Sequence, residues 1–296
     1  MLHKPQKGSA LITALFIMTL VAIVATAMSM ELQRNIEQTN ITKTHDELVL
    51  ASQVVLFWAM DALSERIPPI TYPKSLALIT PNIQTTGQLI DLQSKLNINN
   101  LKDNRYFMIF DALLADQCPE VESLQRAKAI QSIAQWIRMP PANEPHDPTA
   151  AYYLHQKPPY LPSHLDLVDE SELALIANMT PKIIDKITPW ISVLPEVTPI
   201  NINTAAPNIL KMIAHGDITA ILHAREKKPI LDLNRIAPLL KQANIDPQNI
   251  TVESNYFLCI ATVVKHHKTL TVSTVIQRYQ DKKKQFKIRV LKQKLF

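Results

Sequence analysis

The chain has 296 residues, with 31 Lys and Arg against 26 Asp and Glu, a formal net charge of +5 at pH 7. So small an excess makes no case for a nucleic-acid partner on charge alone. Only three glycines stand against 21 prolines, which excludes glycine-rich phosphate loops and dinucleotide fingerprints.

The chain opens on a short basic leader, residues 1–8, with Lys4 and Lys7. From Ser9 to Met30 no charged residue occurs. As a helix that run is about 33 Å long, enough for a bilayer core. The basic flank favours a cytoplasmic N-terminus. The stretch is open to three readings. It is an uncut signal anchor, or a signal peptide cut at Ala25-Thr26-Ala27, or a segment cut between Gly8 and Ser9 with the apolar run retained. The order Lys7-Gly8-Ser9-Ala10-Leu11-Ile12 resembles the last class, the type IV prepilins.

The following segment supports retention. Glu31 to Arg66 holds neither Gly nor Pro, and Pro68-Pro69 is the first strong stop. Leu32, Ile36, Leu48, Ala51, Val55, Trp58, Ala59 and Ala62 recur at helical spacing. Ser9 to Arg66 is therefore predicted as one helix of about 87 Å. A removable signal has no use for such a continuation.

Pro68 to Pro81 is predicted as a connector, Gly87 to Gln93 as a strand, and Lys95 to Leu101 as its exit. Helices are predicted at Arg105–Leu114 and Glu120–Arg138. In the second, Val121, Leu124, Ala127, Ile130, Ile133, Trp136 and Ile137 mark one face. Met139 to Pro148 is a proline-rich loop. Ala151 to Tyr160 is predicted as irregular, its tyrosines packing over prolines at a domain surface.

Asp166 to Leu240 carries a weak repeat with an offset of 37 residues: Leu173, Ile176 and Ile184 align with Leu210, Ile213 and Ile221. Each copy has capping residues (Asp169, Ser171; Asn203, Thr204), a short helix, a turn and a second helix. Ile200-Asn201-Ile202-Asn203-Thr204-Ala205-Ala206 resembles the start of a helix-hairpin-helix module. Such modules bind phosphates through backbone N–H groups at a glycine hairpin. Here one turn has Gly216 and the other has no glycine. The nearby cations are Arg225, Lys227 and Lys228, while the first copy carries Asp166, Asp169, Glu170 and Glu172. A scaffold is the better reading, with no nucleic acid expected.

The chain closes on three strands, Tyr256–Val264, Thr269–Tyr279 and Gln285–Lys292. In the last, Phe286, Ile288 and Val290 are expected on one face, Lys287, Arg289 and Leu291 on the other. The nine histidines lack zinc spacing, and no serine elbow or Cys/His motif occurs. No enzyme is expected. Cys118 and Cys259 are candidates for one disulfide in an oxidising compartment.

Several pieces follow in one order: the leader and junction; Gly87-Gln88-Leu89-Ile90-Asp91; Leu96-Asn97-Ile98-Asn99-Asn100-Leu101; Pro158-Pro159-Tyr160; Asn201-Ile202-Asn203-Thr204-Ala205; and Ser254-Asn255-Tyr256-Phe257. The ordered set resembles the type II secretion minor pseudopilin K family over essentially the whole chain. The resemblance implies an α+β fold. A type IV pilin-like long N-terminal helix packs on an antiparallel sheet, with a large inserted all-α domain containing helix-hairpin-helix-like repeats. The expected parts are a leader (1–8), a membrane half of the helix (9–30), a first part of the pilin core (31–102), the inserted domain (103–250) and the last strands (251–296).

The resemblance further implies cleavage by prepilin peptidase after Gly8 and N-methylation of Ser9. It implies an inner-membrane anchor with a periplasmic head, and a place with the I and J minor pseudopilins at the tip of a short filament. There the chain starts and caps assembly for export across the outer membrane. Thr13 stands at mature position five, where most pilins carry a glutamate; a tip subunit has no neighbour above to neutralise. Relatives with bound calcium use acidic residues after the helix of Trp136, but this chain reads Trp136-Ile137-Arg138-Met139-Pro140. Glu144, Asp147 and the Asp166/Asp169/Glu170 group offer oxygens, yet capping by Asp169 is favoured, and no metal or other cofactor is assigned. The alternative function is a membrane-anchored periplasmic DNA-binding protein, tested at Arg225 and Lys228.

Overall fold

The computed structural model describes residues 9–64, 73–139 and 150–296. Gly8 and the rest of the leader, residues 65–72, and residues 140–149 with Glu144 and Asp147 lie outside them. Helix α1 spans Ser9–Ser64, 56 residues, about 84 Å at the α-helical rise. Residues 11–43 are exposed throughout, and this half holds a window of mean hydropathy 2.5, long and apolar enough to cross a membrane. From Leu48 onward one stripe is covered. Leu48, Ser52, Val55, Ala59 and Leu63 are buried, three or four residues apart as one helical face requires.

After α1 come strands β1 (Lys74–Ile79) and β2 (Gln84–Asp91). The chain then builds a helical domain. Its elements are β3 (Leu96–Asn97), α2 (Phe107–Gln117), α3 (Ser123–Ile137), α4 (Ala150–Leu154), α5 (Pro181–Ile187), β4 (Ile191–Ser192), β5 (Ile200–Asn201), α6 (Pro207–Ile213), α7 (Thr219–Lys227), α8 (Ala237–Ala243) and β6 (Ile250–Thr251). Strands β7 (Tyr256–Lys265), β8 (Lys268–Gln280) and β9 (Phe286–Leu295) follow. The main sheet has the order β1-β2-β7-β8-β9 and is antiparallel throughout. The helical domain is thus inserted between neighbouring strands β2 and β7.

Strand β1 corrects the expectation of a connector from Pro68 to Pro81. It pairs from Lys74↔Leu89 to Ile79↔Gln84. An edge strand needs backbone partners on one side only, so flanking prolines do not exclude it. A second correction concerns β9. Ile276 pairs with Val290 but Val275 pairs with Lys292, so Leu291 is an extra residue in the ladder. Such a bulge reverses the alternation. Ile288 lies against the helix–sheet core, whereas Lys292 and Lys294 turn to the opposite face and both pair with Asp169.

Helix and sheet meet at one close approach. An added Cβ at Gly87 would stand 2.4 Å from Val55 Cγ1 and 3.3 Å from Leu76 Cβ. Glycine is what lets α1 lie flat on β2. Ion pairing and capping fix the two ends of the contact. Lys265 binds Glu47, and this pairing holds the Glu47 carboxyl below its ordinary range. At the far end, fully buried Arg278 donates from Nε to Leu63 O at 3.0 Å. Its guanidinium lies 3.5 Å from the Phe286 ring centroid. A cation on the last carbonyls of a helix satisfies acceptors that the helix leaves open.

The inserted domain holds the larger core, centred on Leu113, Ile133, Trp136, Leu173, Leu210 and Ile221. The residues of the 37-residue repeat lie in or against it, although the first helix of the first copy is 3-10 (Glu170–Leu175). A larger duplication also appears. Asn99 exchanges bonds with Leu167, N–H to Oδ1 at 3.0 Å and Nδ2 to the carbonyl at 3.0 Å. Asn203 does the same with Ile230 at 2.9 and 2.8 Å. Two residues after each partner, Asp169 and Asp232 cap 3-10 turns. Two units therefore follow one plan, 96–192 and 200–251, each starting at an Asn-Ile-Asn step. The 37-residue offset joins the end of the first unit to the start of the second.

Of the aromatic segment, Tyr152 is half exposed, but Tyr153 is buried and meets Trp136 edge-on at 5.3 Å, with Tyr160 at 6.4 Å. Its tyrosines close the core over Trp136, where packing over prolines at the surface was expected. Their rings supply the area that the small helices around them lack.

Two outcomes follow. Gly87→Ala in the detergent-solubilised chain lowers stability to urea by about 1–3 kcal/mol through overpacking, and the loss is non-additive with Val55→Ala. Glu120 receives Lys182 at 3.0 Å and Lys186 at 2.8 Å, which lowers its pKa to about 2. The stability from this bridge is present above the unfolded carboxylate value and is lost as pH falls toward 2. A carboxyl NMR titration finds Glu120 near that value, and Lys186→Met returns it toward the ordinary range.

Candidate functional site

Three stretches cross or approach the boundary between sheet and inserted domain: 91–95 leaving, 196–204 midway, and 252–256 returning. Asp91, the last residue of β2, ties them together. Its side chain is buried among four donors. The Gln93 amide reaches Oδ1 at 2.8 Å. Thr204 Oγ1 at 2.5 Å, Ser254 Oγ at 2.7 Å and Asn201 Nδ2 at 3.0 Å all reach Oδ2. Burial pushes the Asp91 carboxyl up, and these four hydrogen bonds oppose the push. A carboxylate suits the place because it accepts through both oxygens and donates through neither.

Neighbouring polar side chains repeat the theme. Gln93 donates to Pro199 O at 3.0 Å and accepts from the Asn255 amide at 2.6 Å. Asn97 accepts from the Leu194 amide at 3.1 Å and donates to Glu196 O at 2.7 Å. Asn100 exchanges bonds with Thr198 at 2.8 and 2.9 Å. A side-chain amide that both donates to and accepts from one backbone residue acts as a piece of β-ladder where no strand fits. The relay continues into the sheet. Tyr256 Oη donates to Glu196 at 2.5 Å and accepts from Gln277 at 2.7 Å, and Gln277 accepts from Arg289 at 2.6 Å. Burial first, and then Glu196, raise the Tyr256 pKa. Leu92, Leu194 and Tyr256 form the small apolar contact beneath.

This junction sits at the end of the sheet farthest from the bare half of α1. Asp91 pairs with Phe257 and Gln84 with Val264, and the Lys265 end touches Glu47 while Arg278 touches Leu63. Leu96, Ile98 and Leu101 already pack in the helical core, so the chain crosses at residues 91–95.

The residues singled out from the sequence fall elsewhere. Ser9 is the first residue of α1, and Thr13 lies on its exposed half. Cys118 and Cys259 are free and buried. They belong to separate cores, Cys118 with the helical domain and Cys259 between α1 and the sheet, so the candidate disulfide is not formed. Arg225 donates to Ile202 O at 3.0 Å and Ala205 O at 2.6 Å. It latches the start of the second unit, and its guanidinium is turned inward, where a phosphate contact would require it outward. Asp166 pairs with Lys102 at 2.5 Å. Asp169 forms a capping box with Glu172, the role favoured for it above. With Lys292 and Lys294 also on Asp169, its oxygens face cations already. Among the described residues no three His, Cys, Asp or Glu group as a metal site.

Opposite the covered stripe of α1, Leu50, Val54 and Phe57 stand exposed by 61, 48 and 67%. At i, i+4 and i+7 they line one helix face. The sequence reading missed both this stripe and Asp91. Asp91 has no sequence signature beyond closing a strand. The duplicated Asn-Ile-Asn step was the available signal for the amide staples.

The junction predicts an unusual intolerance. Asp91→Asn cannot serve both sides, because its NH₂ must face either the Gln93 amide or the three donors at Oδ2. It lowers stability by about 1–3 kcal/mol, and Asp91→Ala by more. Hydrogen exchange localises the loss to residues 96–102 and 198–204.

Comparison with known proteins places this geometry. The family model described as type II secretion system (T2SS), protein K, matches residues 94–196, the span of the first unit. Type II secretion system protein K of Aeromonas hydrophila is 24% identical, covering 85% of this chain and 87% of that protein. The protein K of Klebsiella pneumoniae is 24% identical, covering 71% and 69%. The crystal structure of the GspK-GspI-GspJ complex from the enterotoxigenic Escherichia coli type 2 secretion system contains a chain of the same fold. Its TM-score is 0.70 at 20% identity, over 88% of this chain and 99% of that one. Family model, relatives along most of their length and shared fold point the same way: the chain is a member of the type II secretion system protein K family.

Proposed function

We propose that the chain is a minor pseudopilin that joins I and J partners at the tip of a type II secretion pseudopilus, where it starts and caps the filament. The observation that carries this reading is α1, bare over an apolar half and clamped to a sheet over the rest. Burying the bare half takes a bilayer before assembly and neighbouring helices afterward. The exposed Leu50, Val54 and Phe57 stripe extends that demand into the head and is the contact assigned to a partner helix.

The helical domain supports the capping role by its position. It leaves the sheet beside Leu63, 33 residues beyond Met30, about 50 Å up the helix. A subunit stacking above would meet this domain, while subunits below meet only α1 and the sheet. In this reading the peptidase cuts after Gly8, Ser9 is methylated, the anchor lies in the inner membrane and the head in the periplasm. Thr13, at mature position five, needs no partner charge above it, and a carboxylate left unpaired there would be costly. The chain has no catalytic role of its own.

The test combines intact mass with co-purification. The chain isolated from membranes begins at Ser9 and carries one methyl group. I and J partners co-purify with it, and Phe57→Glu reduces their recovery at least severalfold while leaving the head's urea midpoint unchanged. A chain starting at Met28, or a Phe57→Glu variant that retains both partners fully, contradicts the proposal.

A further inference from the structure

Strand β9 is an edge, and its chemistry is one-sided. From Thr251 to Phe296 the sequence holds ten Lys and Arg against two acids, Glu253 and Asp281. Lys282, Lys283 and Lys284 form the β8–β9 turn, and Lys287, Arg289, Lys292 and Lys294 line the strand. Lys282, Lys283, Lys284 and Lys287 are exposed and pair with no acid among the described residues. No described strand pairs with the outer edge of β9.

A cleft of about 480 Å³ lies beside the C-terminal half of this strand, between it and the inserted domain. Leu167, Val168, Val275, Leu291 and Phe296 give it apolar walls, and Lys292 and Lys294 stand at its rim. Val168 and Phe296 are each 71% exposed. The Leu291 bulge builds this arrangement, because it turns Lys292 and Lys294 toward the cleft. Phe296 exchanges both backbone bonds with Thr271. Alternation along an antiparallel strand then points the amides of Gln293 and Leu295 outward.

Lysines on an edge repel a second copy of the same edge, a common defence against self-pairing. They repel copies but not an acidic strand, and an apolar cleft alongside is more than such a defence requires. We infer that the outer edge of β9 is a docking site for an extended, acidic segment of a partner protein. The segment adds a sixth strand to the sheet. Main-chain bonds to Gln293 and Leu295 hold it, alternate apolar side chains enter the cleft, and acidic side chains meet the lysines. Membrane lipid is not the partner: the lysine turn adjoins Phe286 and Arg278 at the Leu63 end of α1, about 50 Å along the helix from the apolar run.

The test uses the full-length chain in detergent and three capped eight-residue probes: alternating Val-Glu, alternating Val-Lys, and Val-Glu with every second amide N-methylated. The Val-Glu peptide binds saturably by fluorescence anisotropy and slows exchange at the Gln293 and Leu295 amides. The other two bind at least about tenfold more weakly, a difference of 1.4 kcal/mol. Lys283→Glu with Lys287→Glu, at positions that hold no fold contact, weakens the Val-Glu peptide by a similar factor. Equal binding of the N-methylated peptide means ionic attraction without strand addition and overturns the inference. So does protection elsewhere than β9, or no binding at low salt.

Discussion

One buried carboxylate decides how the two halves of this molecule sit together. Asp91 ends a strand of the sheet, and through its side chain it holds the chain leaving the sheet, the chain midway through the inserted domain, and the chain returning. A boundary crossed by so few residues would ordinarily behave as a hinge. Here the polar groups that any crossing leaves without a strand partner are bound to one another by Asp91, Gln93, Asn97, Asn99 and Asn100. Each bond contributes only about 1 kcal/mol net, but each buried group left unmade would cost more. The junction is therefore a rigid mount, and the position of the helical domain follows from it.

The rest of the architecture carries that mount outward. Gly87 lets α1 lie on the sheet, and Arg278 and Glu47 pin its two ends. The helix then holds the junction at a set height above the apolar segment. The second anchoring of the inserted domain, Asp169 on Lys292 and Lys294, depends on a single extra residue in β9. Remove the bulge and those lysines face the helix side, where Ile276 and Ile288 already pack.

Much of this was legible in the sequence because it rests on periodicity. The long helix, the strands at the end of the chain and the α2 and α3 helices follow from apolar spacing, and the insertion follows from the gap between strands. Asp169 was legible as a cap because capping boxes are local. What stayed hidden depends on contacts far apart in the chain. β1 has a partner supplied only by β2, and the bulge at Leu291 breaks a pattern that local alternation predicts to continue. Arg225 looks like a surface cation until its two carbonyl acceptors, 20 and 23 residues earlier, come into place. Asp91 is one acid among 26, and its donors lie up to 163 residues away.

In the proposed role a stiff helix and a rigid mount serve one purpose. The bulky domain must stay above the helix axis to end a filament, and a domain that swung aside would leave the sheet open to another subunit. The most direct measurement is the position of the chain in isolated pseudopili, read by a gold label on an exposed residue of the inserted domain in electron micrographs. One label at one end of each filament is the expected result. Labels spaced along the filament length would contradict the account.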